Sequence, residues 1–369
     1  MPKATETILE IDLNALGHNY HYLTSKLKPE TKIMAVVKAY GYGSDAVIIA
    51  KELVTLGVHY FAVAYSNEGE MLRDAGIETP ILVLHPLPSN FDLILDRCLE
   101  PSIYSPKMLK DFIAFAEEKR QKNYPIHLKF NTGLNRLGFS ESDISWIAGK
   151  LSKTSSVTVK SAFSHLAASE DASEAEFTVS QLDSFEKIVE ELSAAIGYRP
   201  MLHTLNTSGV INYPEAQYDM VRIGIGLYGF GNDAEENKNL IPITALKTVI
   251  SQIHSIEPGE SVGYNRAYIS DTFKKTATLP IGHADGISRA YGNGKGWVTI
   301  NGKKAPLVGN VCMDMIMVDI TNIECKEGDE VVVFGKSPTA EALSEAINSI
   351  PYELLTAISQ RVKRVTCRK

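Results

Sequence analysis

The stretch KIMAVVKAYGYGSD (residues 32–45) decides the fold, because an apolar run stops abruptly there at the charged amine of Lys38. The residues from Ile33 to Val37 are all apolar, which is typical of a strand covered on both faces of a parallel sheet. After Lys38 and Ala39, tyrosines and glycines alternate over residues 40–43 and indicate a loop. The pattern therefore predicts a buried strand whose C-terminal end presents an amine.

Similar apolar runs recur along the chain up to about residue 230. The predicted strands are 32–39, 60–65, 80–85, 101–105, 126–131, 159–166, 202–206 and 220–229. Segments with apolar residues at helical spacing separate them, most clearly 45–56, 107–120 and 173–196. This alternation favours an α/β fold, a (β/α)8 TIM barrel. An open doubly wound sheet would show the same alternation and is the less favoured alternative.

The pattern changes after the polar stretch 231–239, which we interpret as a linker. Strand-like runs are now separated by tight turns, at 257–260, 301–304 and 326–330. The pair Asn301–Gly302 lies between two apolar runs and is a strong hairpin signal. The second half of the chain is therefore predicted to be mainly β, with a helical insertion near 339–359.

The chain length agrees with this division, since 369 residues are enough for two domains. We predict a barrel over residues 11–232 and a mainly β C-terminal domain over residues 233–369.

Composition excludes several classes of function. The net charge is −7 and the pI about 5.8, so no basic surface for nucleic acid or anionic lipid is expected. No apolar run reaches the roughly 20 residues of a membrane span, and the first residues lack the apolar core of a signal peptide. We therefore expect a cytoplasmic protein. The four cysteines, Cys98, Cys312, Cys325 and Cys367, have no CxxC spacing, so neither a disulfide framework nor a metal site is expected.

Polar residues collect where the predicted barrel strands end. They are Lys38, Lys129, Arg136, His165, Asn206, Thr207, Arg222 and Gly224. Taken singly, each has a structural interpretation, such as a solvated lysine or a hydrogen-bonded core histidine. Together they point to one mouth of the barrel, because the C-terminal ends of its parallel strands carry the functional groups.

Two short loops in this set could bind a phosphate group. The sequences NTSG (206–209) and GIG (224–226) follow the seventh and eighth strands and offer a hydroxyl and glycine backbone N–H groups. Alone, such loops are a weak signal. A phosphate site facing a strand-end lysine predicts a phosphorylated aldehyde held as a Schiff base, which is pyridoxal 5'-phosphate (PLP).

Seven segments resemble the alanine racemase family, in family order and over nearly the whole chain. They are VVKAYGYG (36–43), KFNTGLNRLGF (129–139), HTLNTSG (203–209), VRIGIGLYG (221–229), SVGYNRAY (261–268), GNVCMDM (309–315) and PYELL (351–355). The resemblance implies a barrel followed by a β domain that residues 1–10 join, and a head-to-tail homodimer. It also implies PLP-dependent, two-base interconversion of L-alanine and D-alanine, which supplies D-alanine for peptidoglycan.

The resemblance also implies roles for individual residues. Lys38 would hold PLP and act as one base, and Tyr264 of the partner subunit would be the other. Further cofactor contacts would come from Tyr42, His165, Asn206, Thr207, Arg222, Gly224, Ile225 and Tyr352. The substrate carboxylate would be held by Arg136 and by Met313 of the partner subunit. Lys129 would support Arg136 and is carbamylated in better-known relatives.

The sequence departs from the family pattern at Tyr40, Asn131, Thr207, His283 and Asn310. None of these changes removes a catalytic group, but Asn310 puts the substrate range in doubt.

Several alternatives stay open at this point. A broader racemase could act on serine or lysine, and PLP decarboxylases for basic amino acids or diaminopimelate share a similar fold. A PLP-binding carrier made of a barrel alone would need neither the second domain nor Tyr264. A purely structural protein would need no pairing of a lysine with a phosphate site.

Overall fold

The computed structural model describes residues 4–369 and divides them into two compact units. The barrel unit comprises Gly17–Gly41 and Ala46–Ile241. The C-terminal unit comprises the described residues up to Leu16, the short segment Tyr42–Asp45, and Pro242–Lys369. Residues 1–3, which belong to the segment predicted to join the β domain, lie outside the described residues.

The barrel unit is built on a parallel sheet of eight strands. After β1 (Ile8–Asp12) of the C-terminal unit, the barrel strands are β2 (Lys32–Val36), β3 (Tyr60–Val63), β4 (Ile81–Val83), β5 (Glu100–Ile103), β6 (Tyr124–Lys129), β7 (Val157–Phe163), β8 (Met201–His203) and β9 (Met220–Ile223). Their order in the sheet is β8-β7-β6-β5-β4-β3-β2-β9. Strands such as β3 and β4 are buried at every residue, which explains their continuous apolar sequences.

The two end strands of this order approach each other and nearly close the barrel. The backbone N–H of Asp219 donates to the carbonyl of Leu202 at 3.2 Å, and that of Arg222 to the carbonyl of Leu205 at 2.9 Å. The predicted (β/α)8 barrel is confirmed, and the open doubly wound alternative is wrong.

Helices follow the strands of the barrel. They are α1 (Leu13–Thr24), α2 (Lys38–Tyr42), α3 (Ala46–Thr55), α4 (Ser66–Asp74), α5 (Phe91–Asp96), α6 (Pro106–Glu118), α7 (Ile144–Leu151), α8 (Ala175–Ile196), α9 (Thr207–Asn212) and α10 (Ala234–Asn237), with 3-10 turns at Pro88–Asn90, Glu141–Asp143, Ala172–Glu174, Pro214–Ala216 and Ile225–Tyr228. Helix α6 shows the local logic: Ser105 caps its start by accepting from the N–H of Met108, and proline occupies the first helical position.

The polar stretch 231–239 differs from the linker predicted for it. Asp233 caps the single-turn helix α10, and the carboxylate of Glu236 is buried. Glu236 accepts hydrogen bonds from the hydroxyl of Ser208 and from the backbone N–H of Asn232, at 3.1 and 2.8 Å. The stretch is therefore an ordered part of the barrel unit that supports the loop after β8.

The C-terminal unit contains a nine-stranded sheet and a two-stranded ribbon. Besides β1, its strands are β10 (Thr244–Val249), β11 (Gln252–Ile256), β12 (Ser261–Val262), β13 (Tyr268–Ile269), β14 (Lys274–Leu279), β15 (Trp297–Ile300), β16 (Lys303–Val308), β17 (Ile316–Asp319), β18 (Glu330–Phe334) and β19 (Lys363–Cys367). The sheet order is β11-β14-β17-β16-β15-β18-β10-β1-β19, and β12 pairs with β13. Helices α11 (Ala340–Ala346) and α12 (Pro351–Ala357) form the predicted helical insertion, and 3-10 turns lie at Tyr264–Arg266, His283–Asp285 and Arg289–Tyr291.

The strands of the C-terminal unit differ from those of the barrel in their burial pattern. Buried and half-buried residues alternate along β10 and β15, as in antiparallel strands with one face on a core. The hairpin between β15 and β16 turns at Asn301 and Gly302, whose φ angles are 48° and 76°. This confirms the predicted hairpin, since both central residues of a type I′ turn need positive φ.

None of the helices formed by residues 4–369 combines the length and apolar character that crossing a membrane requires.

Candidate active site

The barrel strands carry the predicted polar residues to their C-terminal ends. Lys38 lies two residues beyond β2, Lys129 is the last residue of β6, and His165 lies two residues beyond β7. Thr207 opens α9 after β8, and Arg222 lies within β9. All eight strands are parallel neighbours, so these residues belong to one mouth of the barrel.

The turn that carries Lys38 has an unusual backbone. Strand β2 ends at Val36 rather than at residue 39 as predicted, and Ala39, Tyr40, Gly41 and Tyr42 all have φ between 49° and 61°. This left-handed conformation costs roughly 1–2 kcal/mol per non-glycine residue. The N–H of Gly41 donates to the carbonyl of Val37, and Glu68 accepts from the N–H of Ala39 at 2.6 Å. The backbone is therefore held in a strained form next to the lysine, as is common at functional sites.

The surroundings of Lys38 favour its neutral amine. Burial lowers the pKa of Lys38, and the positive charge of Arg136 lowers it further, while the carboxylate of Glu68 acts in the opposite direction. A neutral amine is the form that attacks an aldehyde and the form that accepts a proton.

Lys38 belongs to a cluster of basic side chains at the barrel mouth, together with Lys129, Arg136 and Arg222. Burial lowers the pKa of Lys129 to about 8, helped by the charges of Arg136, Arg222 and Lys38. Lys129 and Arg136 have no ion-pair partner among residues 4–369. An excess of cations with so few carboxylates favours an anionic ligand. Residues 4–369 contain no group of histidine, cysteine and carboxylate side chains arranged to hold a metal ion.

Arg136 lies on a closed loop between β6 and Phe139. Backbone hydrogen bonds join Phe139 to Lys129 and Asn131, at 2.8 and 2.9 Å. The side-chain oxygen of Asn131 accepts from the N–H of Asn135, so this asparagine shapes the loop. A Cβ at Gly138 would lie 2.5 Å from the backbone nitrogen of Asn131, which makes glycine necessary there.

Arg222 is buried and donates hydrogen bonds to several acceptors. Its guanidinium donates to the carbonyls of Ser164, His203 and Thr204 and to the ring nitrogens Nδ1 of His203 and His165. Burial lowers the pKa of Arg222 to about 9, which leaves it a cation at neutral pH.

His165 is neutral in this environment. Burial holds the pKa of His165 well below its usual range, and the charge of Arg222 acts in the same direction. Because Arg222 only donates, Nδ1 of His165 must accept, at 3.0 Å, and the imidazole proton lies on Nε2. His165 can therefore offer one proton at Nε2 while Arg222 fixes its other nitrogen.

The loops after β8 and β9 lock together through Thr207. Its hydroxyl oxygen accepts from the N–H groups of Gly224 and Gly226, at 3.3 and 3.2 Å. A Cβ at Gly226 would lie 2.5 Å from Cγ2 of Thr207, so the close approach requires glycine. The side chain of Asn206 caps α9 by accepting from the N–H of Gly209. Ile225 opens the short 3-10 turn that follows Gly224.

The segment 42–45 and helix α12 belong to the C-terminal unit. The rings of Tyr42 and Tyr352 lie 6.1 Å apart between centroids, and burial raises the pKa of the Tyr42 phenol. A Cβ at Gly43 would lie 2.1 Å from the carbonyl oxygen of Leu355, and Arg364 donates to the carbonyl of Gly43 at 2.8 Å. This contact gives a packing reason for glycine at 43.

The C-terminal unit exposes the other predicted residues. Tyr264 is 73% exposed and Met313 is 59% exposed, and both line one open depression with Cys312, Met315 and Met317. The carbonyl of Tyr264 accepts from the side-chain amide of Asn310 at 3.3 Å, and that of Met313 accepts from the N–H of Ala284 at 3.0 Å. The side chains of Tyr264 and Met313 are therefore exposed, while hydrogen bonds within the C-terminal unit hold their backbone.

Sequence reasoning missed two groups of residues. Glu68 bonds the N–H groups of Ala39 and Ala64, and its only signal was a carboxylate just after a buried strand. A buried hydrogen-bonded line extends from Arg222 across neighbouring strands, through His203, Ser161, His127 and Glu100. Single polar residues inside apolar strand runs were the signal for this line.

Fold and site together define a class: (β/α)8-barrel enzymes with a second, mainly β domain and a lysine at the barrel mouth. Residues 11–231 match the N-terminal domain of alanine racemase, and residues 243–366 match its C-terminal domain. The chain is 37% identical to alanine racemase 1 of Clostridium acetobutylicum over 96% of this chain and 94% of that protein.

Solved structures give the same result. The alanine racemase of Clostridium difficile has a TM-score of 0.93 and 32% identity, covering 100% of this chain and 97% of that one. The alanine racemase of Bartonella henselae with covalently bound pyridoxal phosphate has a TM-score of 0.88 and 30% identity, covering 99% and 100%. The chain belongs to the alanine racemase family.

This membership decides between the functions that the sequence left open. The protein is an isomerase, and alanine racemisation is favoured over a broader racemase, a decarboxylase or a carrier made of a barrel alone.

Proposed function

We propose that the protein interconverts L- and D-alanine with PLP, using Lys38 and Tyr264 of the partner subunit as bases on opposite faces of the substrate. The observation that carries the proposal is the half-buried amine of Lys38, which has a lowered pKa beside a cluster of cations. Removing a proton from one face of the substrate Cα and returning one to the other face requires an acid–base group on each side.

The residues at the barrel mouth fit PLP. A neutral lysine amine suits its aldehyde, and the cations suit the negative charges of the cofactor and of the substrate carboxylate. Thr207 and the backbone of Gly224 and Ile225 would hold the phosphate. The Thr207 hydroxyl oxygen accepts from the N–H of Gly224, so its own proton is available to an anion at this turn. The alanine racemase of Bartonella henselae binds PLP covalently. Bound PLP supplies an electron sink that makes the Cα proton of the substrate acidic.

Each protein group then has a defined task. Lys38 accepts or returns the proton on one face, and Tyr264 of the partner subunit does so on the other. His165 donates its Nε2 proton toward the phenol oxygen of Tyr264 and so stabilises the phenolate form that a base requires. Arg222 would lie at the pyridine end of the cofactor and, because a guanidinium keeps its protons, would not protonate the ring nitrogen. A weaker electron sink disfavours transamination.

The remaining assignments follow the family pattern. Arg136 and the Met313 backbone N–H of the partner subunit would bind the substrate carboxylate. Tyr42 and Tyr352 would contribute to the phosphate, and Asn206 would shape the phosphate loop through its cap on α9.

Lys129 is proposed to be carbamylated, because reaction with CO2 requires a neutral amine and the pKa of Lys129 is lowered to about 8. The resulting anion would be stabilised by the surrounding cations and would orient Arg136.

A head-to-tail homodimer belongs to the proposal, since Tyr264 and Met313 are exposed on their own chain. The proposed cellular role is the supply of D-alanine for peptidoglycan in the cytoplasm.

The decisive experiment measures D-alanine formation from L-alanine, together with covalent cofactor attachment by borohydride reduction and mass spectrometry. Lys38→Ala should lower racemisation by roughly 10³-fold or more and abolish the covalent attachment. Lys32→Ala is the matched control, because Lys32 is an exposed lysine at the other end of β2. Full racemisation by Lys38→Ala would refute the proposal.

A further inference from the structure

A line of buried polar side chains crosses five neighbouring barrel strands. It contains Glu100 of β5, His127 of β6, Ser161 of β7, His203 of β8 and Arg222 of β9. Such interior positions are usually filled by branched apolar side chains. Burying polar groups is costly unless each one is hydrogen-bonded, so a complete polar line in a barrel core calls for an explanation.

The contacts along the line are short and continuous. Arg222 contacts Nδ1 of His203 at 2.8 Å, and Nε2 of His203 contacts the Ser161 hydroxyl at 2.9 Å. That hydroxyl contacts Nδ1 of His127 at 2.6 Å, and Nε2 of His127 contacts a carboxylate oxygen of Glu100 at 2.6 Å. His127, Ser161 and His203 are fully buried, and Glu100 is 12% exposed.

The direction of the first two bonds follows from chemistry. A guanidinium only donates, so Nδ1 of His203 accepts and carries no proton. The proton of His203 therefore lies on Nε2 and is donated to the oxygen of Ser161.

The direction of the remaining bonds follows in the same way. Ser161 has no other hydrogen-bond partner among residues 4–369, so its hydroxyl proton goes to Nδ1 of His127. His127 then donates from Nε2 to Glu100. If His127 were instead an imidazolium, both of its nitrogens would donate, and the hydroxyl proton of Ser161 would be buried without an acceptor.

We propose that the polar line orients Arg222 and determines which ring nitrogens of the histidines carry protons. Its positioning residues are Glu100, His127, Ser161 and His203. Every donor in the line points toward the Glu100 carboxylate, so a cation at one end and an anion at the other polarise the bonds in the same sense. The two His203 acceptors, Nδ1 and the carbonyl, hold one terminal nitrogen of Arg222 at 2.8 and 3.0 Å. The other terminal nitrogen donates to the carbonyls of Ser164 and Thr204, both at 2.8 Å, and contacts Nδ1 of His165 at 3.0 Å.

The first test locates the protons directly in the wild-type holoenzyme. Joint neutron and X-ray diffraction after deuterium exchange should show deuterons on Nε2 of His203 and Nε2 of His127, with Nδ1 bare in both rings. A deuteron on Nδ1 of either ring would overturn the proposal. This result does not depend on activity.

The second test cuts the line without touching the cofactor. Ser161→Ala should raise the ratio of pyruvate formation to racemisation roughly tenfold, the effect of one buried hydrogen bond to a charged network, and shift the visible absorbance of the bound cofactor. Ser161→Thr, which restores a hydroxyl, should recover the wild-type ratio.

Tyr60→Phe is the matched control, because the Tyr60 hydroxyl also donates to Glu100, at 3.2 Å, but lies outside the line. Its reaction ratio and absorbance should equal those of the wild type. An unchanged ratio in a folded Ser161→Ala protein, or an equal change in Tyr60→Phe, would overturn the proposal. The inference rests on the proposed function, yet the two fail separately: racemisation that persists in Lys38→Ala refutes the function, whereas these outcomes refute only the line.

Discussion

The barrel unit and the C-terminal unit present their candidate residues in opposite ways. Arg222 and Lys129 are 5% and 8% exposed, and their protonation is governed by burial and by neighbouring cations of the same unit. Tyr264 and Met313 are 73% and 59% exposed, and what their own unit fixes is the backbone beneath them. The candidate residues of the barrel unit are therefore enclosed by their own unit, whereas those of the C-terminal unit are open to solvent on this chain.

The largest expected effect concerns the exposed tyrosine of the C-terminal unit. Tyr264→Phe removes only a hydroxyl, and we expect racemisation to fall by roughly 10³-fold, within the range for loss of an acid–base group. Cofactor attachment to Lys38 should persist, because the barrel unit supplies it. Tyr268→Phe, a half-buried tyrosine of the same unit, serves as the control and should racemise normally. Near-normal turnover by Tyr264→Phe would contradict the assignment.

Mixing two inactive proteins tests whether the exposed residues act in a second copy. A hybrid of Lys38→Ala and Tyr264→Phe chains should contain one intact site, since each chain supplies what the other lacks. After random exchange, about a quarter of the wild-type activity should return, as expected for a two-fold dimer with one repaired site in half of the molecules. A mixture that stays inactive after verified exchange would place Tyr264 outside the partner's site.

The next largest effect concerns the buried arginine of the barrel unit. Arg222→Glu replaces the buried cation by a group that can protonate the pyridine nitrogen, and we expect about 10²-fold slower racemisation with increased pyruvate formation from alanine. The measurement is pyruvate per D-alanine formed. Arg120→Glu, at an exposed arginine of the same unit, makes the same charge change and should leave the ratio unaltered. Absence of pyruvate in Arg222→Glu would argue against the proposed role.

Some parts of the fold could be predicted from the sequence and others could not. The eight barrel strands and the hairpin at Asn301–Gly302 were predictable, because continuous burial, alternating burial and turn chemistry each leave a local pattern. The left-handed run from Ala39 to Tyr42 was not predictable, since three of its four residues are not glycine and the conformation depends on contacts such as that of Glu68. The order in 231–239 was missed for a similar reason, because Glu236 finds its partners in space rather than along the chain.

The candidate site was predictable as a set of residues but not as a network. Strand-end positions identified Lys38, Lys129 and His165, since topology brings the ends of parallel strands together. The line from Arg222 to Glu100 joins side chains that are separated by up to 122 positions, and only the folding of five strands into one barrel brings them together. For Tyr264, Met313 and Arg136, only the family resemblance assigned a role, and that role stays a prediction.

A smaller effect concerns the modification proposed for Lys129. We expect a carbamate carbon signal in the NMR spectrum of protein equilibrated with carbon-13 bicarbonate, because the lowered pKa of Lys129 provides neutral amine. Lys129→Arg should lose this signal and raise the KM for alanine about tenfold through a less well held Arg136, with a smaller change in kcat. Lys153→Arg is the surface control. Persistence of the signal in Lys129→Arg would show that it arises elsewhere.

The smallest effect is a pH dependence that belongs to the barrel core. Burial holds the pKa values of His165 and His203 well below their usual range, so the folded protein binds fewer protons than the unfolded chain below about pH 6.5. Stability is therefore lost as pH falls, by about 1.4 kcal/mol per histidine for each pH unit below 6.5. Urea unfolding at pH 7.5 and 5.5, at one protein concentration, measures the loss. His203→Gln should remove one histidine's share, whereas Phe163→Leu, which loosens the ring stacked 4.8 Å from His203, should lower stability equally at both pH values. An unchanged pH dependence in His203→Gln would mean that His203 does not stay neutral in the folded barrel.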